Sequence, residues 1–260
     1  MRPVGRHVRL VIVPVLALVC LGLLLAGVSG CIPLKGEEPP EWLGIETSET
    51  VETGEAEEPE APAPGDAHHG SEVLMMGHSV MEGLFQYWSR DWEDPILRNG
   101  YTLYYHNLSG PPEIGSEAAS QIDGVPDGTI VFFKLCFVDF WASDSGEVDE
   151  NLAETLGYVD EVLAAAEGRD IVVILGNALP QVRSDTTQAL VELHRAYNAG
   201  LEERAAADGN VYVFDQYSFL AGNDGSLPRG LAVDPSDSHL NSTAYVVYDE
   251  ELFVLLDSIE

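Results

Sequence analysis

The sequence predicts a doubly wound α/β sandwich with a five-stranded parallel sheet, and three observations carry that expectation. From residue 71 onward, short apolar runs alternate with longer stretches of helical periodicity. The runs are rich in Val, Ile, Met and Phe with little polar alternation, as in strands covered on both faces. Five such runs in regular alternation with helices build parallel crossovers rather than hairpins. The first strand is Val73-Leu74-Met75-Met76, stopping at Gly77, and the others are expected over 101–108, 129–137, 170–175 and 210–214. A helix starts straight after Gly77, its apolar positions Val80, Leu84, Tyr87 and Trp88 spaced for one face. Further helices are expected at about 113–122, 149–167, 184–208 and 242–258. In this architecture ligands bind outside the carboxyl ends of the strands, so the informative loops begin at Gly77, Leu108, Phe137, Gly176 and Asp215.

The first of these loops carries Gly77-His78-Ser79. A strand-to-helix turn holds Ser79 out of the sheet edge and places its N–H among the unpaired donors of the next helix, which suits a nucleophile. A Ser in that position also suits a helix cap. The pattern is not the G-x-S-x-G elbow, because Met81 stands where the second Gly belongs. The last loop carries Asp237-Ser238-His239-Leu240-Asn241 before the final helix. If that segment is extended, Asp237 and His239 point to one side. The carboxylate can then fix the imidazole tautomer, and the imidazole can take a proton from a hydroxyl.

These blocks resemble those of SGNH/GDSL-type hydrolases, a flavodoxin-like three-layer α/β/α family of esterases, lipases and acyl-group hydrolases or transferases. The likeness covers about residues 71–260. Gly77-His78-Ser79 resembles the family's Gly-Asp-Ser, with His78 in place of the Asp. Asn107-Leu108-Ser109-Gly110 resembles the second block, which implies that Gly110 and Ser79 give backbone N–H groups to an oxyanion hole. The last block usually reads D-x-x-H, which would put Ser236 at the acid position; here Asp237, in a D-x-H arrangement, is the orienter. The third block departs from the family's G-x-N-D: Lys134-Leu135-Cys136-Phe137-Val138-Asp139 contains no Asn. Lys134 either donates to the oxyanion or pairs with Asp139 or another carboxylate. Asn177, after the fourth strand, is either a further donor or a turn residue.

Charge and composition set the surroundings. The net charge is −32, of which residues 71–260 contribute −25. So acidic a domain does not bind nucleic acid through its phosphates and is repelled by anionic lipid. Residues 1–31 are basic at Arg2, Arg6 and Arg9, then apolar, and end in Val28-Ser29-Gly30-Cys31. That ending resembles a lipobox, with Cys31 as the lipidated mature N-terminus; the alternative is an uncleaved signal anchor. Either form exports the domain and tethers it to a membrane. Residues 32–70 are rich in Pro, Glu and Thr, read as a disordered acidic tether, and include an incidental His68-His69 pair. Cys136 reads as a small buried hydrophobe, and His106, His194 and the tyrosines 101, 104 and 105 as packing or surface residues. No phosphate loop, metal-ligand spacing or paired-carboxylate motif stands out, so no cofactor is expected.

Two classes of function follow. One is an exported serine hydrolase acting on an ester of a glycan or a lipid, with an O-acyltransferase as its near variant. The other is a non-catalytic lipoprotein that keeps the fold as a binding or scaffolding module.

Overall fold

The computed structural model describes residues 71–89 and 95–259. The signal segment with Cys31 and the acidic tether lie outside the described residues. The elements run β1 (Glu72–Gly77), α1 (Ser79–Trp88), β2 (Ile96–Arg98), β3 (Tyr101–Asn107), α2 (Ile114–Gly124), β4 (Ile130–Lys134), a 3-10 turn (Phe137–Asp139), α3 (Ser145–Ala166), β5 (Val172–Gly176), α4 (Gln188–Ala207), β6 (Val211–Phe214), α5 (Gln216–Leu220), β7 (Ala232–Asp234), β8 (Asp237–Leu240) and α6 (Ser242–Leu256). Among the described residues, no helix is long and apolar enough to cross a membrane.

The main sheet has the order β2-β3-β1-β4-β5-β6. Its five expected strands are all parallel, but the sheet has six strands rather than five. The sixth, β2, pairs antiparallel with β3 at the edge. Three residues of intermediate or full exposure offer too short a pattern to be read as a strand. The expected strand over 129–137 also ends early, at Lys134. Beyond it the chain tightens into the 3-10 turn, where the Asp139 carboxylate accepts the Cys136 N–H at 2.7 Å.

Alternate residues of each strand feed two cores. Val73 and Met75 of β1 pack with Val80, Met81, Leu84 and Phe85 of α1 and with α6. Leu74 and Met76 face the opposite layer, where Ile114, Ala118 and Ile122 of α2 meet Tyr158, Val159 and Val162 of α3 and the apolar side of α4. Helix α1 leaves β1 toward one face, whereas α2 and α3, after the flanking strands β3 and β4, lie on the other. The carboxyl end of β1 is therefore a topological switch point, where this architecture places its ligand sites.

Small residues set the helix contacts. A Cβ on Gly83 would collide with the Tyr245 hydroxyl, and that hydroxyl donates to the Val80 carbonyl at 3.0 Å. The glycine thus lets α1 lie directly on α6. At the sheet edge, Arg98 of β2 makes a two-pronged pair with Asp249 of α6 at 2.9 and 2.6 Å, and the Trp88 indole donates to the same carboxylate at 2.6 Å.

Candidate active site

Ser79 is the first residue of α1, exposed at the carboxyl end of β1. The N-cap position is held by His78, whose carbonyl accepts the Met81 and Glu82 N–H groups, and no side chain caps the helix. Ser79 does not cap its helix; its hydroxyl points elsewhere. Its Oγ lies 2.9 Å from His239 Nε2, while His239 Nδ1 lies 2.5 Å from Asp237 Oδ1. Ser79, Asp237 and His239, the first and last of them 160 residues apart in the chain, thus form one hydrogen-bonded row.

The row is held by the β7–β8 hairpin. β8 is extended, so Asp237 and His239 share a side and Ser238 faces the other way. Ser238 Oγ accepts the Val182 N–H at 3.0 Å, fastening the hairpin to the loop after β5. Asn241 caps α6 through Ala244 N at 3.1 Å and also donates to the carbonyls of Gly230 and Ala232 at 2.8 and 3.0 Å. Ser236 is turned toward Asp234, to which it donates both hydroxyl and N–H at 2.7 and 3.0 Å. The acid beside His239 is therefore Asp237. Its carboxylate also accepts the His239 backbone N–H at 2.9 Å, and these two bonds hold it below the usual carboxylate range. The ring of Phe137 stands edge-on to the His239 imidazole with centroids 5.1 Å apart.

Gly110 lies exposed in the loop after β3. That loop is anchored by Glu117 of α2, whose carboxylate accepts the Ser109 N–H at 2.6 Å and pairs with His106 at 2.8 Å. Burial works against ionisation of Glu117, but the bonds from Ser109 and His106 prevail and hold its carboxyl below the usual range. His106, expected to be a packing or surface residue, is partly exposed and bonded to this anchor.

Neither expected third donor is free at the surface. The Asn177 amide donates to Asp215 at 2.6 Å, its Oδ1 accepts the Tyr217 N–H at 2.8 Å, and its carbonyl accepts from Gln216. Asn177 thus joins the end of β5 to the start of α5, which is the turn role and not the donor role. Lys134 is fully buried behind the Gly77–Ser79 turn and donates to the Leu135 carbonyl at 3.3 Å. From the end of β4 it is Cys136 that reaches Ser79, with Sγ and Oγ 3.9 Å apart. Its burial was legible in the apolar sequence around it; its contact with Ser79 was not, because the contact depends on β4 ending early.

Val138 and Trp141, in the segment after β4 that brings Phe137 against His239, and Val233 on β7 are exposed apolar side chains. Among the described residues, no group of three His, Cys, Asp or Glu side chains is arranged to hold a metal ion.

The architecture is a three-layer α/β/α fold similar to that of solved GDSL-like lipases and acylhydrolases. Among solved structures, the chain is similar to a GDSL-like lipase from Bacteroides thetaiotaomicron at 16% identity and a TM-score of 0.52, with 73% of this chain and 89% of that one covered. It is also similar to a lipase from a goat rumen metagenome at 15% identity and a TM-score of 0.50, covering 70% and 96%. No family model and no curated protein sequence matches the chain. At these identities the likeness defines the fold, and chemistry has to be argued from the side chains.

Proposed function

We propose that residues 71–260 form a serine hydrolase that cleaves an acyl or acetyl ester of a glycan or a lipid. The observation that carries this reading is the Asp237–His239–Ser79 row at 2.5 and 2.9 Å. In the first step Ser79 Oγ attacks the ester carbonyl carbon while its proton passes to His239 Nε2. The negative charge that forms on the carbonyl oxygen is met by backbone N–H groups of Ser79 and Gly110. As the tetrahedral adduct collapses, His239 returns the proton to the departing alcohol, leaving an acyl group on Ser79. Water then attacks the acyl carbonyl while His239 Nε2 takes its proton; as this second adduct collapses, the bond to Ser79 Oγ breaks, His239 returns the proton to Oγ and the acid leaves. Asp237 holds the imidazole in the tautomer that presents Nε2 as an acceptor, and it stabilises the imidazolium between the two proton transfers.

The surroundings support a neutral, partly apolar ester. The strongly acidic chain disfavours anionic substrates, and the exposed Val138 and Trp141, in the segment whose Phe137 packs on His239, supply apolar surface for an acyl chain. Hydrolysis and transfer share every step up to the acyl-enzyme, so an alcohol in place of water would make the same residues an acyltransferase. The basic-apolar leader ending at Cys31 supports export and a lipid anchor, with residues 32–70 spanning the distance to the domain.

The test is hydrolysis of p-nitrophenyl acetate, p-nitrophenyl octanoate and acetylated xylo-oligosaccharides by the purified protein. Turnover of at least one ester, abolished in Ser79→Ala, is expected; equal rates for the two proteins would remove the assignment. For the anchor, metabolic labelling with a fatty acid is expected to mark the wild type and not Cys31→Ala.

A further inference from the structure

On the face of the sheet that carries α2, β3 is only partly covered. Leu103 points into the core under α1, whereas Tyr104 and His106, on alternate positions, stand on the α2 face and stay half-exposed. Helix α2 packs chiefly against α3 and leaves this strip of β3 open. Beside the strip lies a cavity of about 440 Å³, bounded by Glu72 and Leu74 of β1, Tyr104 and His106 of β3, Gln121 of α2 and Thr129 just before β4. Its size falls in the range of about 300–1,000 Å³ usual for small-molecule sites. Ser79, Asp237 and His239 take no part in its walls.

The polar groups around this cavity are uncommitted. Among the described residues, the Glu72 carboxylate, the Tyr104 hydroxyl and the Gln121 amide have no hydrogen-bond or ion partner. His106 gives Nε2 to Glu117 at 2.8 Å, which leaves Nδ1 unbonded. Exposed side chains bonded only to solvent are ordinary, but Thr129 is not exposed. It is 4% accessible, and its hydroxyl has no partner. A buried hydroxyl without a partner is costly and uncommon in a native fold.

The chemistry of the lining selects the ligand. A carboxylate accepts, whereas an amide and two hydroxyls both donate and accept, so the walls match a ligand that carries several hydroxyls. Leu74 and the Tyr104 ring supply an apolar patch for C–H groups. No Lys or Arg lines the cavity, and residues 71–260 carry −25, so a phosphate, sulfate or carboxylate finds no countercharge there. A purely apolar ligand would leave the polar walls unpaired. We propose that this cavity is a second binding site, separate from the Ser79 row, for a sugar unit of a neutral glycan. The C–H face of the sugar lies on Tyr104, and its hydroxyls pair with Glu72, Gln121, His106 and Thr129. The site holds the glycan whether or not Ser79 cleaves an ester, so the two assignments fail separately.

The experiment records 1H–15N spectra of the purified wild-type protein during titration with xylohexaose, cellohexaose and chitohexaose, none of which carries an ester. Saturable shifts are expected with at least one of the three, at the amides of residues 72–74, 104–106, 121 and 129. Tyr104→Leu and Gln121→Ala are each expected to weaken that binding about tenfold, with the amides of Ser79 and His239 at their wild-type positions. Gln121 is a half-exposed position on α2, so its variant decides the matter if Tyr104→Leu does not fold. No saturable shift with any of the three sugars, shifts confined to the surroundings of Ser79 and His239, or unchanged binding in the folded variants overturns the site. Saturation by choline and by none of the sugars overturns the ligand class.

Discussion

Asp237 stands two residues from the histidine whose ring it bonds, a spacing that works only in extended backbone, where alternate side chains share a face. β8 supplies that backbone, and the carboxylate then accepts from both the ring and the main chain of His239. Replacing Asp237 with Asn leaves an acceptor for the backbone but offers an amide to a ring that needs a carboxylate. A loss of about 10³- to 10⁴-fold in kcat is expected from steady-state kinetics, with the fold intact by circular dichroism. The pH behaviour of the same residue has a definite sign. Its carboxyl sits below the usual range in the folded protein, so its stabilising contribution is present above the unfolded value and is lost as the pH falls through the lower folded one. Another residue sets a wider acid limit. His194 is fully buried with neither ring nitrogen bonded, and burial pushes it from 6.5 down to about 3. The unfolded chain binds that proton and the folded one does not, so stability is full above about pH 6.5 and declines progressively as the pH falls from there to about 3. Thermal melts across that range are expected to show a shallower decline for His194→Leu than for the wild type.

Elements, rather than single residues, decide how firmly the site is held. The amino-terminal turn of α2 grips the loop that carries Gly110 through Glu117 and the Ser109 N–H. Glu117→Ala frees that loop, and a drop of about ten- to a hundredfold in kcat is expected, with a much smaller change in melting temperature because the pair with His106 is partly exposed. The seat of α1 on α6 is the converse case. Gly83→Ala drives a methyl into the Tyr245 hydroxyl, and denaturant unfolding is expected to show a loss of about 1–3 kcal/mol. The long elements were readable because their periodicity extends over many residues: α3, α4 and α6 lie within a few residues of where the apolar spacing puts them. Two short elements without an apolar run of their own were not readable, because tertiary bonds hold them. β2 depends on its pairing with β3 and on Arg98 with Asp249, and the 3-10 turn after β4 depends on Asp139 and on Gln181, which donates to the carbonyls of Phe137 and Phe140 at 2.8 and 2.9 Å.

For the molecule as a whole, the sheet order explains why distant parts of the sequence meet. β1 lies third in the sheet with its helix on one face and its neighbours' helices on the other, and the final hairpin reaches Ser79 at its carboxyl end. Ser79, Asp237 and His239 were legible because each occupies a short motif whose meaning survives without a structure. Lys134 was conspicuous as a charge in an apolar run, but its surroundings come from β4, β5, the β1 turn and the 3-10 turn together, and no local pattern reports those. Asn177 shows the same limit, since what occupies its amide is Asp215, 38 residues away. The central claim is that Ser79 is an activated nucleophile, and the most direct measurement is the intact mass of the protein after exposure to a fluorophosphonate, with the adduct mapped by peptide sequencing. One adduct on Ser79 is expected, absent in Ser79→Ala and formed far more slowly in His239→Ala. No adduct on the folded wild type, or the same adduct in Ser79→Ala, would contradict the account.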